Sequence, residues 1–226
     1  MEFQIKINTN EQLAHRDPED TVLGRNIVRS GLLLMYELGF EHFTFKKLAT
    51  EINTTEASIY RYFENKHRLL LYLLTWYWNY MEYLVVFSLQ NLNDPELKIK
   101  KIINLLINDL PQDLDSSGLD KKALHHIVVN ESSKVYLVKD VEEINQVQLF
   151  KPYKDLCARI AGIFQEYAPD YPFPRSLSST LLEMSHFQYY FMLHLPSLTD
   201  FGKDKDPQSI SRFLEHLIFT TLKDKG

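Results

Sequence analysis

The sequence predicts an all-α fold, with a group of short helices near the N-terminus followed by a longer helical domain. Apolar residues recur at helical spacing along almost the whole chain, and no series of alternating, strand-like segments appears. Between residues 43 and 70, two tight breaks divide the helical pattern into three segments. The chain has 226 residues, enough for one small and one medium domain.

Composition limits the classes of protein to which the chain could belong. Apolar residues make up 45% of it, which allows a sizeable core, and no apolar run is long enough for a membrane span. The first residues lack a signal-peptide pattern, and the single cysteine, Cys157, cannot form an internal disulfide. We therefore expect a cytoplasmic protein with no membrane partner, in which Cys157 is a small buried residue rather than a redox sensor.

Charge is distributed unevenly along the chain. The net charge of −5 argues against a general nucleic-acid binder. Residues 21–70, however, contain seven Lys and Arg residues against five Glu residues. A slightly basic segment on an acidic protein predicts modest non-specific affinity for nucleic acid and dependence on paired sites in a dimer.

The N-terminal part reads as an arm followed by one helix. Residues 1–20 form the arm, which is either a disordered or loosely docked tail, or an arm that reaches DNA or packs on the following helices; its low positive charge favours the first. The first helix is expected at residues 21–38, with Leu23, Ile27, Leu34 and Leu38 on its apolar face and Gly39 ending it.

The next segment has the capping signals of two short helices. Thr44 is placed to cap a helix that starts at Phe45, in which Phe45, Leu48, Ala49 and Ile52 share one face. Asn53 then breaks the pattern, and Asn tolerates the left-handed conformation that a tight turn needs.

The third helix of this group is also marked by its caps. Either Thr54 or Thr55 can cap it, and Ile59 and Phe63 are its buried anchors. Asn65 can cap the longer helix that begins at Lys66. A short helix, a sharp turn and a second short helix are the pattern of a helix-turn-helix DNA-binding domain.

Small, hydroxylated and basic side chains lie around the predicted second helix, as major-groove entry and phosphate contact require. The candidate DNA-binding residues are Thr44, Lys46, Lys47, Thr55, Ala57, Ser58, Tyr60, Arg61, Tyr62 and Lys66. Among these, Thr44, Lys46, Lys47 and Lys66 are assigned to the backbone, and the others to positioning the recognition helix or to bases. Spacing alone is equally compatible with a small helical bundle that has a solvated polar face.

The segment resembles the signature of the TetR family of transcriptional regulators over about residues 21–70. The matching positions are Gly39-Phe40, Thr44, Leu48-Ala49, Asn53 to Phe63, Asn65-Lys66 and Leu69-Leu70. Asn53, Thr54 and Ile52 stand where the family usually has Gly, Val and Ala, and Glu56 stands where many members carry Lys.

The resemblance implies a homodimeric, all-α regulator. Residues 21–66 would be its DNA-binding domain, and residues 67–226 its ligand-binding and dimerisation domain. Two-fold symmetry would place the recognition helices about 34–36 Å apart on a pseudo-palindromic operator. The implied partners are double-stranded operator DNA, a second copy of the chain and a small hydrophobic or aromatic effector. We expect a repressor that the effector releases from DNA.

The rest of the chain reads as helices separated by Pro-rich or polar breaks. The expected helices are 66–91, 95–110, 119–133, 139–167 with a kink or split at Pro152, 176–195 and 210–222. In TetR-like proteins the last two helices pair with their symmetry mates. The candidate dimer-interface residues are therefore Leu181, Phe187, Phe213, Leu214, Leu217 and Ile218. Their apolar stripes could instead be core within one chain.

A ligand pocket is expected among the helices from Lys66 to Leu195. Aromatic rings with polar tips suit such a pocket, and the candidates are Tyr80, Tyr83, His126, Tyr153, His186 and Tyr190. Each of these could equally be core. His125 and His126 are adjacent, so in a regular helix they point about 100° apart and cannot chelate one metal.

No catalytic, metal or cofactor motif is found in the sequence. We therefore expect a protein that is not an enzyme and needs no cofactor. The alternative to a regulator is a helical ligand-binding or interaction protein with weak or no sequence-specific DNA binding, which Glu56 and the low positive charge favour.

Overall fold

A computed structural model describes residues 13–108, 110–111, 117–136, 142, 145 and 149–223, and within them the chain is helical with no strand. The predicted all-α fold is confirmed. The α-helices are α1 (Val22–Leu38), α2 (Phe45–Glu51), α3 (Glu56–Tyr60), α4 (Lys66–Leu89), α5 (Pro95–Ile107), α6 (Lys121–Glu131), α7 (Ser133–Tyr136), α8 (Lys151–Tyr167), α9 (Pro174–His194) and α10 (Pro207–Lys223). Single 3₁₀ turns lie at Pro18–Asp20 and Pro196–Leu198.

Helix contacts divide the chain into two compact units. The first contains the described residues up to Asn79 together with Leu110–Lys151, and the second contains Tyr80–Asp109 and the chain from Pro152 onward. Helix α4 therefore contributes its first half to one unit and its second half to the other. This division by contacts does not test the functional boundary near residue 66, which stays a prediction.

Helix α1 begins and ends where its capping residues predict. The Gly24 amide donates to the Thr21 hydroxyl over 2.9 Å, and Gly39 ends the helix with a φ of 75°. The buried face is different from the expected one, because Leu23, Leu34 and Leu38 are only half-buried. The core positions are instead Ile27, Val28, Leu32 and Met35.

Proline and aspartate set the helix starts in the second unit. Pro95, Pro174 and Pro207 each open a helix, since proline is preorganised for the first helical position. Helix α8 starts at Lys151, which puts Pro152 in its first turn and confirms a break there. Most of the expected helix before it, residues 139–148, lies outside the described residues. Helices α5, α9 and α10 pack on one another.

The described part of the chain contains no helix that is both long and apolar enough to cross a membrane.

Two helical glycines give a matched test of this packing. A Cβ atom at Gly24 would lie 2.3 Å from the Pro18 carbonyl oxygen, whereas at Gly162 it would have no neighbour within 4 Å. Gly24→Ala should therefore destabilise the protein by about 1–3 kcal/mol, because the backbone at Pro18 must move. Gly162→Ala should stabilise it by about 0.5–1 kcal/mol through helix propensity. Urea unfolding of both variants measures the difference, and a Gly24→Ala protein as stable as Gly162→Ala would contradict this packing.

Candidate nucleic-acid interface

The turn between α2 and α3 is fixed by side-chain caps and one left-handed residue. Thr44 Oγ1 accepts from the Lys47 amide over 3.3 Å, and Thr55 Oγ1 accepts from the Ser58 amide over 3.2 Å. Asn53 has a φ of 52°, as the turn requires. The predicted cap at Thr44 and the turn at Asn53 are confirmed, and of the two candidate caps for α3 the structure selects Thr55.

Apolar anchors hold α3 against the domain and so determine which of its faces is exposed. Ile59, Phe63 and Leu48 have no exposed surface, as the sequence predicts for the first two. Helix α3 has only five residues. A helix this short is unstable alone in water, so its position depends on these anchors and on Thr55.

The exposed side of this helix pair holds most of the predicted DNA-binding residues. Thr44, Lys46, Lys47, Thr55, Ala57, Tyr60 and Arg61 are exposed, and Ser58 is half-buried. Glu56 is exposed among them, which places one negative charge on the same face. Whether these residues bind DNA stays a prediction, but their common exposure allows it.

Three polar side chains form a hydrogen-bonded row along α3. The Thr55 and Ser58 hydroxyl oxygens are 3.0 Å apart, and Arg61 Nη2 donates to Ser58 Oγ over 3.0 Å. The row holds the Arg61 guanidinium close to the helix, with further N–H donors on the same planar group. Tyr60 continues the face, with its ring 49% exposed and its edge contacting Phe45 at a centroid distance of 5.2 Å.

Tyr62 does not lie on this face, and in this the structure corrects the sequence analysis. It is 3% exposed, and its hydroxyl is 2.7 Å from Thr21 Oγ1. Helix α3 ends at Tyr60, so helical spacing no longer describes where Tyr62 points. The backbone of the N-terminal segment packs on it, with the His15 amide donating to the Tyr62 carbonyl over 2.9 Å.

Lys66 also has a different environment from the one expected. Its ammonium donates to the carbonyl oxygens of Phe40, Glu41 and Phe43 at 2.9, 3.1 and 3.4 Å. It lies 4.5 Å from the centre of the Phe40 ring. The ammonium holds the loop between α1 and α2, a structural role that the sequence analysis did not foresee, and its contact with a DNA phosphate stays a prediction. Asn65 caps α4 as predicted, accepting from the Arg68 amide over 3.0 Å.

Two residues that the sequence analysis missed hold the same loop from α6 and α7. Glu131 Oε1 accepts from the buried Phe40 amide over 3.1 Å. Lys134 bridges Glu131 and Glu41 at 2.9 and 2.7 Å. The hydrogen bond from Lys134 lowers the pKa of the Glu41 carboxyl. No local pattern could have indicated these contacts, because about 90 residues separate the partners in sequence.

The candidate ligand residues are divided between the two units. His126 belongs to the first unit, where its ring contacts Tyr36 edge-on at 4.7 Å. The other five belong to the second unit: Tyr80 and His186 are buried there, Tyr83 stacks on Phe87, Tyr153 donates to Glu183, and Tyr190 adjoins His194. None of them lines the 420 Å³ groove between α8 and the start of α9. Their role in binding a ligand stays a prediction.

The candidate dimer residues divide into core and surface. Leu181, Leu214 and Ile218 have no exposed surface in the single chain, so they cannot contact a partner as the sequence analysis expected. Phe187 and Phe213 are 45% and 38% exposed, and Leu217 is half-buried. Helices α9 and α10 have apolar residues on two sides, and only one side of each faces the core of the chain. The sequence analysis did not separate these two sides.

Cys157 is half-buried and His125 is buried in this structure. Burial raises the pKa of the Cys157 thiol to about 11, which makes it a poor nucleophile. His125 is buried with Nδ1 3.2 Å from the Tyr77 hydroxyl. Among the described residues, no group of three or more His, Cys, Asp or Glu side chains could hold a metal.

The structural role of Lys66 can be separated from a role in phosphate binding. Lys66→Met removes the donor shared by three carbonyl groups and should cost about 1–3 kcal/mol of stability. Lys46→Met, at an exposed site of the same domain, should change stability by less than about 0.5 kcal/mol. Thermal and urea unfolding measure both variants. Equal stability of the two would show that the Lys66 ammonium does not hold the loop.

Comparison with known proteins assigns a family to the helix-turn-helix segment of the chain. A family model described as "Bacterial regulatory proteins, tetR family" matches residues 27–73. No curated protein matches the sequence. Among solved structures, the fold is similar to that of AibR in complex with isovaleryl coenzyme A and operator DNA. The TM-score is 0.57 and the identity 14%, with 86% of this chain and 98% of that chain covered.

A second similar structure is the fatty acid degradation regulator FadR from Bacillus halodurans. Its TM-score is 0.59 and its identity 19%, covering 85% of this chain and 92% of that chain. At such identities the two structures show a shared fold, while the family match covers the helix-turn-helix whose geometry is described above. Residues 27–73 are therefore identified as a helix-turn-helix domain of the TetR family, and the chain as a whole shares its fold with these two solved structures.

Proposed function

We propose that this TetR-family regulator is a homodimeric repressor that binds a pseudo-palindromic operator and is released by a small hydrophobic or aromatic effector. The observation that carries the proposal is the hydrogen-bonded row of Thr55, Ser58 and Arg61 on an anchored, capped α3. The proposed setting is the cytoplasm, and the proposal includes no catalytic step.

The face of α3 is suited to a major groove. Ala57 and Ser58 are small, so the helix backbone can approach base edges closely. Arg61 then has a planar group with several donors, the side chain most often used to contact guanine. Thr44, Lys46 and Lys47 lie at the start of α2, where they are exposed for the phosphates that fix a protein on the duplex.

Dimerisation is supported by the exposed rings of the last two helices. Phe187 stacks on Phe191 at a centroid distance of 6.1 Å, yet remains 45% exposed. Phe213 is 38% exposed on α10. Large apolar side chains left in water on two neighbouring helices favour burial against a second copy of the same surface.

An effector is supported at the level of the fold. The AibR complex contains both isovaleryl coenzyme A and operator DNA, so a chain of this fold accommodates an effector and a duplex. To release DNA, an effector must bind the conformation with misplaced recognition helices more tightly than the DNA-binding one. The effector is proposed to be hydrophobic or aromatic because α4 and α9 are rich in aromatic residues.

One observation favours the second candidate, a helical ligand-binding or interaction protein that does not read DNA. Glu56 is exposed on the face proposed for the groove, where its charge repels phosphates. The experiment below distinguishes the two candidates, because selection of a duplex sequence is expected only of the first.

The first test is recovery of a specific duplex from random DNA by the purified protein, followed by substitution of Arg61. Arg61→Ala should weaken binding to the selected site by about 1–3 kcal/mol and relax the sequence preference at one position of each half-site. The surface variant Arg175→Ala serves as control, since Arg175 is an exposed arginine of the second unit. A folded dimer that enriches no sequence would favour the second candidate. Full affinity in Arg61→Ala would remove this residue from the interface.

The dimer surface is tested by introducing charge. Phe213→Glu should convert the protein to a monomer and abolish operator binding, because the carboxylate would be desolvated in the interface. Phe173→Glu is the matched control, since Phe173 is 63% exposed but precedes α9 instead of lying on its proposed contact face. Sedimentation equilibrium reports the oligomeric state. A monomer formed by Phe173→Glu and a dimer retained in Phe213→Glu would move the interface elsewhere.

A further inference from the structure

The chain upstream of α1 packs closely on the domain that contains the recognition helix. Residues 13–18, named here the N-terminal strap, are anchored at both ends, because Leu13 is 1% exposed and Pro18 is buried. Gly24 has no side chain and so leaves the space that the backbone of Pro18 occupies. Between these anchors, the His15 amide donates to the Tyr62 carbonyl over 2.9 Å.

This packing places a basic side chain beside the end of α3. The Arg16 guanidinium carbon lies 5.7 Å from the centre of the Tyr62 ring, and Arg16 is exposed. Tyr62 directly follows Arg61 and lies two residues beyond the end of α3. The positive charge of Arg16 therefore lies beside the residue two positions past the end of α3, although 45 residues separate Arg16 from Arg61 in sequence.

Acidic neighbours in the following turn have local functions. Asp17 caps the 3₁₀ turn by accepting from the Glu19 amide over 2.9 Å. Burial raises the pKa of Glu19, against the opposing effect of Arg25 and Arg29, and Arg25 also donates to the Glu19 carbonyl. The Asp17 carboxylate holds the turn, and together with Glu19 it lowers the net charge of the segment, so composition alone does not indicate a DNA contact there.

We propose that Arg16 contacts a DNA phosphate at the edge of the groove that α3 enters. This inference rests on the proposed function and adds a contact from outside the helix-turn-helix. The major groove is about 12 Å wide, so the phosphate rows lie close to any helix seated in it. Stacking on Tyr62 holds the Arg16 guanidinium near its position in the absence of DNA, which reduces the entropy lost on binding.

The competing role for Arg16 is purely structural. The contact between the exposed Arg16 guanidinium and the buried Tyr62 ring would then stabilise only the fold. Such a role predicts a change in unfolding but no change in the salt dependence of DNA binding. A phosphate contact predicts a change in the salt dependence of DNA binding, because each contact releases counterions and adds to the slope of log K against log salt.

The experiment measures binding of the full-length protein to its selected duplex and to an unrelated duplex across a range of salt concentrations. Arg16→Gln keeps most of the side-chain stem but removes the charge. It should weaken binding to both duplexes about tenfold and reduce the salt slope by about one per protomer. Arg16→Lys should keep a slope close to that of the wild type. Arg175→Gln makes the same change in net charge within the second unit and should leave the slope unchanged.

Three results would overturn the inference: an unchanged slope in Arg16→Gln, an equal change of slope in Arg175→Gln, or a loss confined to the selected sequence. The first would leave Arg16 a structural role, the second would attribute the effect to net charge, and the third would indicate a base contact. A wild-type protein that binds no duplex would refute the proposed function together with this inference. Wild-type binding with an unaltered Arg16→Gln slope would refute only the inference.

Discussion

The loop between α1 and α2 is the constraint on which the rest of the DNA-binding domain depends. Its Phe40 and Phe43 side chains are buried, and its backbone groups are satisfied by charged side chains from elsewhere in the chain. Lys66 donates to three of its carbonyl groups, and Glu131 accepts from the Phe40 amide. Because an unpaired buried amide or carbonyl costs about 1–3 kcal/mol, these two side chains hold the loop that leads to Thr44, the residue that caps α2.

The same contacts connect the recognition helix to elements that do not touch it. Helices α2 and α3 together have twelve residues, too few to hold a conformation alone. Glu131 and Lys134 lie on α6 and α7, so a displacement of these helices would pull on the Phe40 amide and on Glu41. The loop therefore links α6 and α7 to the chain that leads into α2, within the first unit.

The sequence predicted the elements whose signals are local. Caps at Thr44 and Asn65, the left-handed Asn53 and the anchors Ile59 and Phe63 each follow from residues within four positions. These signals predict the helix-turn-helix and most of its exposed face. The family resemblance added the fold of the remaining helices, since periodicity alone does not show whether an apolar stripe faces the core of the chain or a dimer interface.

The errors occur where distant parts of the chain meet. Tyr62 was assigned to the DNA face because helical spacing was continued past the end of α3, and the strap that covers it lies far away in sequence. Leu214 was assigned to a dimer interface, but it is buried within the single chain, and an apolar stripe alone cannot distinguish these two environments. The contacts of Lys66 with the loop were missed because their carbonyl acceptors lie more than 20 residues away in sequence. In each case the missing information was a partner more than 20 residues distant.

The acidic composition of the chain bears directly on how it could discriminate among DNA sequences. Non-specific binding scales with the number of phosphates that a protein neutralises, and a net charge of −5 opposes it over the whole molecule. In the proposed function, specific binding would add short-range contacts from Arg61 and its neighbours, which act only when the groove presents the right base edges. In a two-fold dimer, the free energies with which the two half-sites discriminate between sequences would add, while the long-range repulsion from phosphates would stay unfavourable on every sequence. Weak general affinity, which at first argues against a DNA-binding role, is thus compatible with a regulator that must leave most of the genome unoccupied.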